Sequence, residues 1–191
     1  LQNYAAKVWY KVPEWYGVWY DAYSQYISMN KSKGLEETTE LPNLLIDLVL
    51  KMKEDLWWSI AIRSSGNVED GESASAAWVF ESMYIDWSKV RLEDWRHDFE
   101  NEYAAVEYVV RRIYDTTRSP WAIEYFAKNN VDAEKINMGL TIQKLVQTPL
   151  VAGVMLTKED TDGKRWVNVN YVTHSFGNVI ADWTAPWSTL D

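Results

Sequence analysis

Hydrophobic positions along the chain change their spacing several times, and each change marks an element. Over residues 41–56, Leu41, Leu44, Leu45, Leu48, Val49 and Met52 recur three and four apart, with Asp47, Lys51, Lys53 and Glu54 between them. At 3.6 residues per turn this stripe is one face of an amphipathic helix. Pro42 suits its first turn, where a missing N–H costs no hydrogen bond. A shorter helix is predicted over 21–29 from Ala22, Tyr23, Tyr26 and Ile27. Residues 88–117 are predicted to be helical almost throughout. Ser88 can cap the start, Leu92, Trp95, Phe99 and Tyr103 run down one side, and Val106, Val109, Val110 and Ile113 follow. Arg111-Arg112 sits near the end, where cations complement the helix dipole. Ser119-Pro120 opens one more helix, with Ile123, Phe126 and Ala127 turned inward.

The remainder reads as strands. An apolar run over 58–62 ends at Arg63-Ser64-Ser65, and another over 78–85 carries Val79, Phe80, Met83, Tyr84 and Ile85. Residues 137–146 and 150–157 are strand-like on either side of Gln147-Thr148-Pro149. Asp162-Gly163 signals a hairpin, with 165–172 as its return strand. A last strand is predicted over 178–183, followed by a tail from Pro186. There is no internal repeat and no composition break. The pattern predicts one α+β unit with two sheet-bearing lobes, 1–87 and 137–191, and a helical segment, 88–136, between them.

Composition narrows the function. A formal charge of −9 over 191 residues opposes binding to nucleic acid or to an anionic membrane. Without cysteine there can be no disulfide, thiolate metal site or cysteine nucleophile, and two histidines are too few for a histidine metal cage. No apolar run approaches the roughly 20 residues of a membrane span, and no leader pattern opens the chain. A soluble, cytoplasmic protein is expected. Tryptophan, at twelve, outnumbers glycine, at eight. Either the excess fills gaps in a divergent or engineered sequence, or it lines a pocket for a flat ligand.

The candidate chemistry centres on Arg63. A strand ending in a permanent cation, then an acidic, glycine-bearing loop (Glu69-Asp70-Gly71-Glu72), is a place where phosphate oxygens can be met. The alternative is an ion pair between Arg63 and that loop. The stretch from Ile60 to Trp78 resembles the "AVRSS…ED…SFAG" signature of the nucleotide-binding domain of the phosphoenolpyruvate synthase and pyruvate phosphate dikinase family, an ATP-grasp fold. Lys11-Val12-Pro13-Glu14-Trp15-Tyr16-Gly17-Val18 with Asp21-Ala22-Tyr23 resembles that family's "VPPGFVIT…AY" segment. Thr141 to Val146 with Ala152 to Thr157 resembles its "VQ.MV…SGV.FT" strands.

The resemblance implies ATP with Mg²⁺ as the ligand and a dikinase-type phosphotransferase as the activity, linked to pyruvate and phosphoenolpyruvate. It implies nucleotide contacts at Arg63, Lys7 and Ser75, and an adenine-facing edge at Gln143, Leu145 and Val146. It also exposes departures. Trp78 falls on the glycine of "SFAG", Trp19 falls on a small position, and Phe126 stands where the family has an arginine. The family's late metal-binding carboxylates find no counterpart, so no metal ligand and no catalytic residue is assigned. His97 and His174 lack the phosphohistidine setting. A divergent, truncated domain that needs further domains of a larger phosphotransferase is expected. The alternative is a non-catalytic binding module or engineered scaffold with a tryptophan-rich, reshaped cleft.

Overall fold

The computed structural model describes residues 11–34, 37–56, 59–68, 79–86, 91–92, 99–146, 150–159, 165–173 and 188–190. The chain divides into two compact units, 1–145 and 146–191. Each carries one sheet, so the expected α+β class holds and is compatible with an ATP-grasp-like fold.

In the first unit, β1 (Trp15–Val18), β2 (Ile60–Gly66), β3 (Ser82–Asp86), β4 (Arg91–Leu92) and β5 (Met138–Lys144) form an antiparallel sheet in the order β1-β5-β2-β3-β4. The helices are α1 (Tyr20–Asn30), α2 (Asn43–Leu56), α3 (Glu102–Asp115) and α4 (Pro120–Lys128). Alternate strand residues point to opposite faces. Val18, Ile60, Ile62, Ile85, Met138, Leu140 and Ile142 therefore share one face, and they are buried with Leu45, Ile46 and Val49 of α2 and Val106, Val109, Val110 and Ile113 of α3. The predicted stripe of α2 is only partly buried. Leu45 and Val49 enter the core, while Leu44 and Leu48 face solvent because Ile46 takes the inward place instead.

Caps set two helix starts. Asn101, in extended backbone, accepts a hydrogen bond from the Ala104 N–H at 2.9 Å. Ser119 accepts from Ala122 N–H at 3.1 Å with Pro120 in the first turn, as the sequence leads one to expect. The first of these corrects the long helix predicted over 88–117. Residues 91–92 form a strand, opposite Asp86 and Ile85, and α3 begins only at Glu102. The ladder with β3 gives the backbone at 91–92 its partners, and residues 93–98 of the predicted helix lie outside the described residues.

The predicted grouping of 137–146 with a second lobe is also corrected. Strand β5 runs in the middle of the first sheet, between β1 and β2, with Ile142 opposite both Tyr16 and Ile62. Its apolar residues need the helix-covered core, and only β1 and β2 bring them there. The helices of 102–128 likewise belong to this first unit.

A polar and aromatic cluster ties α1 to the end of α3. The rings of Tyr23, Tyr26 and Tyr114 lie 5.1–6.0 Å apart. Tyr26 donates to Asp115, Thr39 donates to the same carboxylate at 3.0 Å, and Tyr23 donates to Thr117 at 2.9 Å. Burial, reinforced at Tyr26 by the Asp115 carboxylate, holds the Tyr26 and Tyr114 phenols well above their ordinary range.

In the second unit, β6 (Val151–Glu159) and β7 (Arg165–Thr173) pair from Val151↔Thr173 to Glu159↔Arg165, as the hairpin signal predicts. Gly153 is required for close packing: a Cβ there would stand 2.6 Å from the Asn170 carbonyl oxygen. The strand predicted over 178–183 lies outside the described residues. The predicted tail instead contains β8 (Ser188–Leu190), paired with Val169–Tyr171. Its backbone completes the free side of β7, a long-range pairing that local composition does not announce.

Two expectations follow. Ile142→Ala should destabilise the first unit by about 2–5 kcal/mol, while Gln143→Ala, one position along and on the other face, should change it by less than about 0.5 kcal/mol. Urea unfolding of the two variants reads this directly, and equal effects would contradict the assignment of faces. The tyrosine cluster sets the alkaline limit. Unfolded tyrosine ionises near pH 10, and the folded phenols ionise higher, so the cluster's stabilisation is complete below that pH and is lost as pH rises through the folded values. Phenolate absorbance and far-ultraviolet circular dichroism should change together above about pH 10, with the cluster tyrosines titrating late.

Candidate functional site

The face of the first sheet turned away from the core is built by the alternate residues of four strands. Trp15 and Gly17 come from β1, Gly139, Thr141 and Gln143 from β5, Ala61, Arg63 and Ser65 from β2, and Ser82 and Tyr84 from β3. Register aligns them in rows. One row runs Gly17, Thr141, Arg63, Ser82, and its neighbour runs Trp15, Gln143, Ala61, Tyr84. Ala61 and Tyr84 are buried, Arg63, Thr141 and Gln143 are half-buried, and Trp15, Ser65 and Ser82 are exposed.

Arg63 is the central charge of this face. Its guanidinium carbon lies 5.6 Å from the centre of the Tyr84 ring, a cation–π contact. Its buried Nε has no hydrogen-bond partner, and among the described residues Arg63 makes no ion pair. A buried donor left unsatisfied costs about 1–3 kcal/mol, a state that Arg63 Nε shares with Arg111 Nε and the Tyr114 hydroxyl. The loop carboxylates weighed as its partners, Glu69, Asp70 and Glu72, lie outside the described residues. So do Lys7, Ser75, Trp78, His97 and His174.

Gln143, Leu145 and Val146 fall together where β5 leaves the sheet, but not as an open edge. Strand β5 is flanked on both sides. The Lys144 N–H donates to Glu14 O and the Leu145 N–H to Ser59 O, both at 2.9 Å. These two amides are spent within the fold, which corrects the expectation of a free backbone edge at those positions. What remains is the Gln143 side chain on the outer face and Val146, 58% exposed, the first residue of the second unit.

Three features escaped sequence reasoning. Asn67 clamps the exit of β2: its N–H donates to Asn137 O at 3.1 Å, its side-chain amide donates to Lys135 O at 2.9 Å, and its side-chain oxygen accepts from Asn137 N–H at 2.9 Å. A Gly-Asn pair at a strand's end was the available signal. On the helix side, a cavity of about 430 Å³ is lined by Lys33, Thr38, Thr39, Leu41, Tyr103 and Arg111 among others, and it shares no residue with the Arg63 face. Nothing in the local pattern brings 33–42 against α3. The third is the placement of Trp15, which the sequence offers only within the family-like Lys11–Val18 segment and as part of an aromatic excess. Among the described residues, no three of His, Cys, Asp or Glu converge as a metal site. No described helix is long and apolar enough to cross a membrane.

With the site in view, comparison with known families is decisive. The model of the pyruvate phosphate dikinase AMP/ATP-binding domain matches residues 27–181, most of the chain. The chain belongs to this family. No curated protein matches it. Within the family match lie β2 with Arg63, β3 with Tyr84, and β5 with Thr141 and Gln143. Strand β1 precedes it. An adenine nucleotide is the ligand class of this family's domain.

Proposed function

We propose that this chain is the nucleotide-binding part of a dikinase-type phosphotransferase, with ATP as ligand, and that its Arg63 face receives the phosphates. The observation that carries this reading is the half-buried guanidinium of Arg63, midway along β2 and inside the family match, whose buried Nε has no hydrogen-bond partner and which makes no ion pair among the described residues. A guanidinium is always charged and its planar fork suits phosphate oxygens. Phosphoryl transfer depends mainly on positioning and charge neutralisation, and Arg63 supplies both for one end of the ligand. Lys7 and Ser75 add contacts to the phosphates. Gln143, Leu145 and Val146 border the base.

Mg²⁺ would arrive on the nucleotide's own phosphates, which supply oxygen ligands to it. The described residues do not form a cage for it, so no step is assigned to a protein-held metal. The phosphoryl acceptor lies on further domains of a larger phosphotransferase, and the chain alone is incomplete for turnover. The setting is the cytoplasm, where ATP is abundant. A second reading, a non-catalytic binding module with a reshaped aromatic cleft, is favoured by one observation: Arg63 already rests on Tyr84.

Thermal denaturation with Mg-ATP, AMP, pyruvate and phosphoenolpyruvate separates the two. Mg-ATP at a hundred-fold excess over Kd should stabilise the protein by about 2.7 kcal/mol, a rise of several degrees. Arg63→Ala should abolish the rise, and Arg63→Lys should keep part of it. No shift at millimolar nucleotide transfers the case to the binding module.

A further inference from the structure

We infer that Trp15 is the stacking platform for the base of the bound nucleotide, across Thr141 from the arginine that takes its phosphates. The inference rests on the nucleotide reading above and adds the residue that recognises a flat ring.

Trp15 lies on the Arg63 face because its neighbours point the other way: Val18 is buried in the core and the Tyr16 hydroxyl donates to Asp55 of α2. The indole remains 43% exposed. It leans along β1, since a Cβ on Gly17 would stand 3.7 Å from its Cζ3 atom. The bare backbone of Gly17 is what leaves that space. Gly17 pairs with Thr141, and Thr141 pairs with Arg63. Two strand spacings, about 10 Å in all, separate the seat of the indole from the Arg63 backbone.

A nucleotide is a planar base joined through a sugar to phosphates. An exposed aromatic face and a guanidinium with no ion pair among the described residues, set that far apart on one sheet face, match its two ends. The Gln143 side chain, paired with Trp15 in register, offers both a donor and an acceptor to the ring's edge. The Tyr20 ring closes the trough at Gly139, 3.5 and 3.6 Å from where a Cβ would stand. Stacking accepts any base because each has a π-face, so this platform selects for a flat ring carrying phosphates more strongly than for adenine itself.

The test is isothermal titration of the intact chain with Mg-ATP and, separately, with inorganic tripolyphosphate, which has no base. Trp15→Ala should weaken Mg-ATP binding by about ten-fold or more while leaving tripolyphosphate unchanged, and Trp15→Phe should recover most of the loss. Arg63→Ala should weaken both ligands. Equal Mg-ATP affinity in wild type and Trp15→Ala would overturn the inference, as would a parallel loss of tripolyphosphate in Trp15→Ala. A wild-type chain that binds neither ligand sinks the nucleotide reading itself, and the Trp15 inference with it. Circular dichroism of Trp15→Phe, which keeps an aromatic ring at the edge, checks that the fold is intact.

Discussion

The pairing of β5 with β1 on one side and β2 on the other is the constraint on which the first unit depends. Met138, Leu140 and Ile142 are buried only because both neighbours hold the strand in register over the helices. A slip of one residue would turn all three outward and drive Thr141 and Gln143 into the core. The same register that buries the isoleucine and leucine therefore lines up Gly17, Thr141 and Arg63 on the opposite face. Core packing and site geometry are two sides of one ladder. Gly139 shows how closely that ladder is drawn: a Cβ there would stand 2.7 Å from the Val18 carbonyl oxygen, so β1 approaches bare backbone.

The cation at the centre of that face is held, but its hydrogen-bonding capacity is not satisfied. Resting on Tyr84 offsets part of the desolvation of Arg63, since a cation over an aromatic face is worth about 0.5–2 kcal/mol. It satisfies none of the guanidinium's N–H donors. Elsewhere in the unit, exposed and half-exposed arginines are matched to carboxylates: Arg112 makes two hydrogen bonds to Glu81 at 2.9 and 3.0 Å, and Arg111 pairs with Glu107 one turn away. Arg111, like Arg63, keeps a buried Nε without a partner, but Arg63 differs in making no ion pair among the described residues and in resting on an aromatic ring instead.

Much of this was legible in the sequence, for reasons that can be named. The cap at Ser119 and the arginine following the apolar run 60–62 depend on neighbours a few residues away, so local pattern carries them, although β2 itself runs on to Gly66. The β6–β7 pairing is likewise local, announced in the sequence by Asp162-Gly163 and alternation. What the sequence hid were the non-local choices. Residues 138–144 have the composition of any buried strand, and nothing in them says which sheet they join. Residues 91–92 and 188–190 are too short to register as strands without their partners β3 and β7. The expected adenine edge is narrowed for the same cause, because the Lys144 and Leu145 amides, which look free in one dimension, are spent on Glu14 and Ser59 in three.

The site shows the same division. Arg63 could be picked out because a charged residue after an apolar strand is conspicuous on its own. Trp15 could not, because its significance lies in a register partner more than a hundred residues away and in a glycine two positions on. Read along the chain, the tryptophans look like surplus bulk that would crowd a phosphate loop. Read across the sheet, one of them stands beside open backbone, on the face of the Arg63 cation. Bulk at a close-approach position destroys a binding surface, but the same bulk beside a glycine extends it. Which of the two applies is decided by strand pairing and cannot be taken from composition.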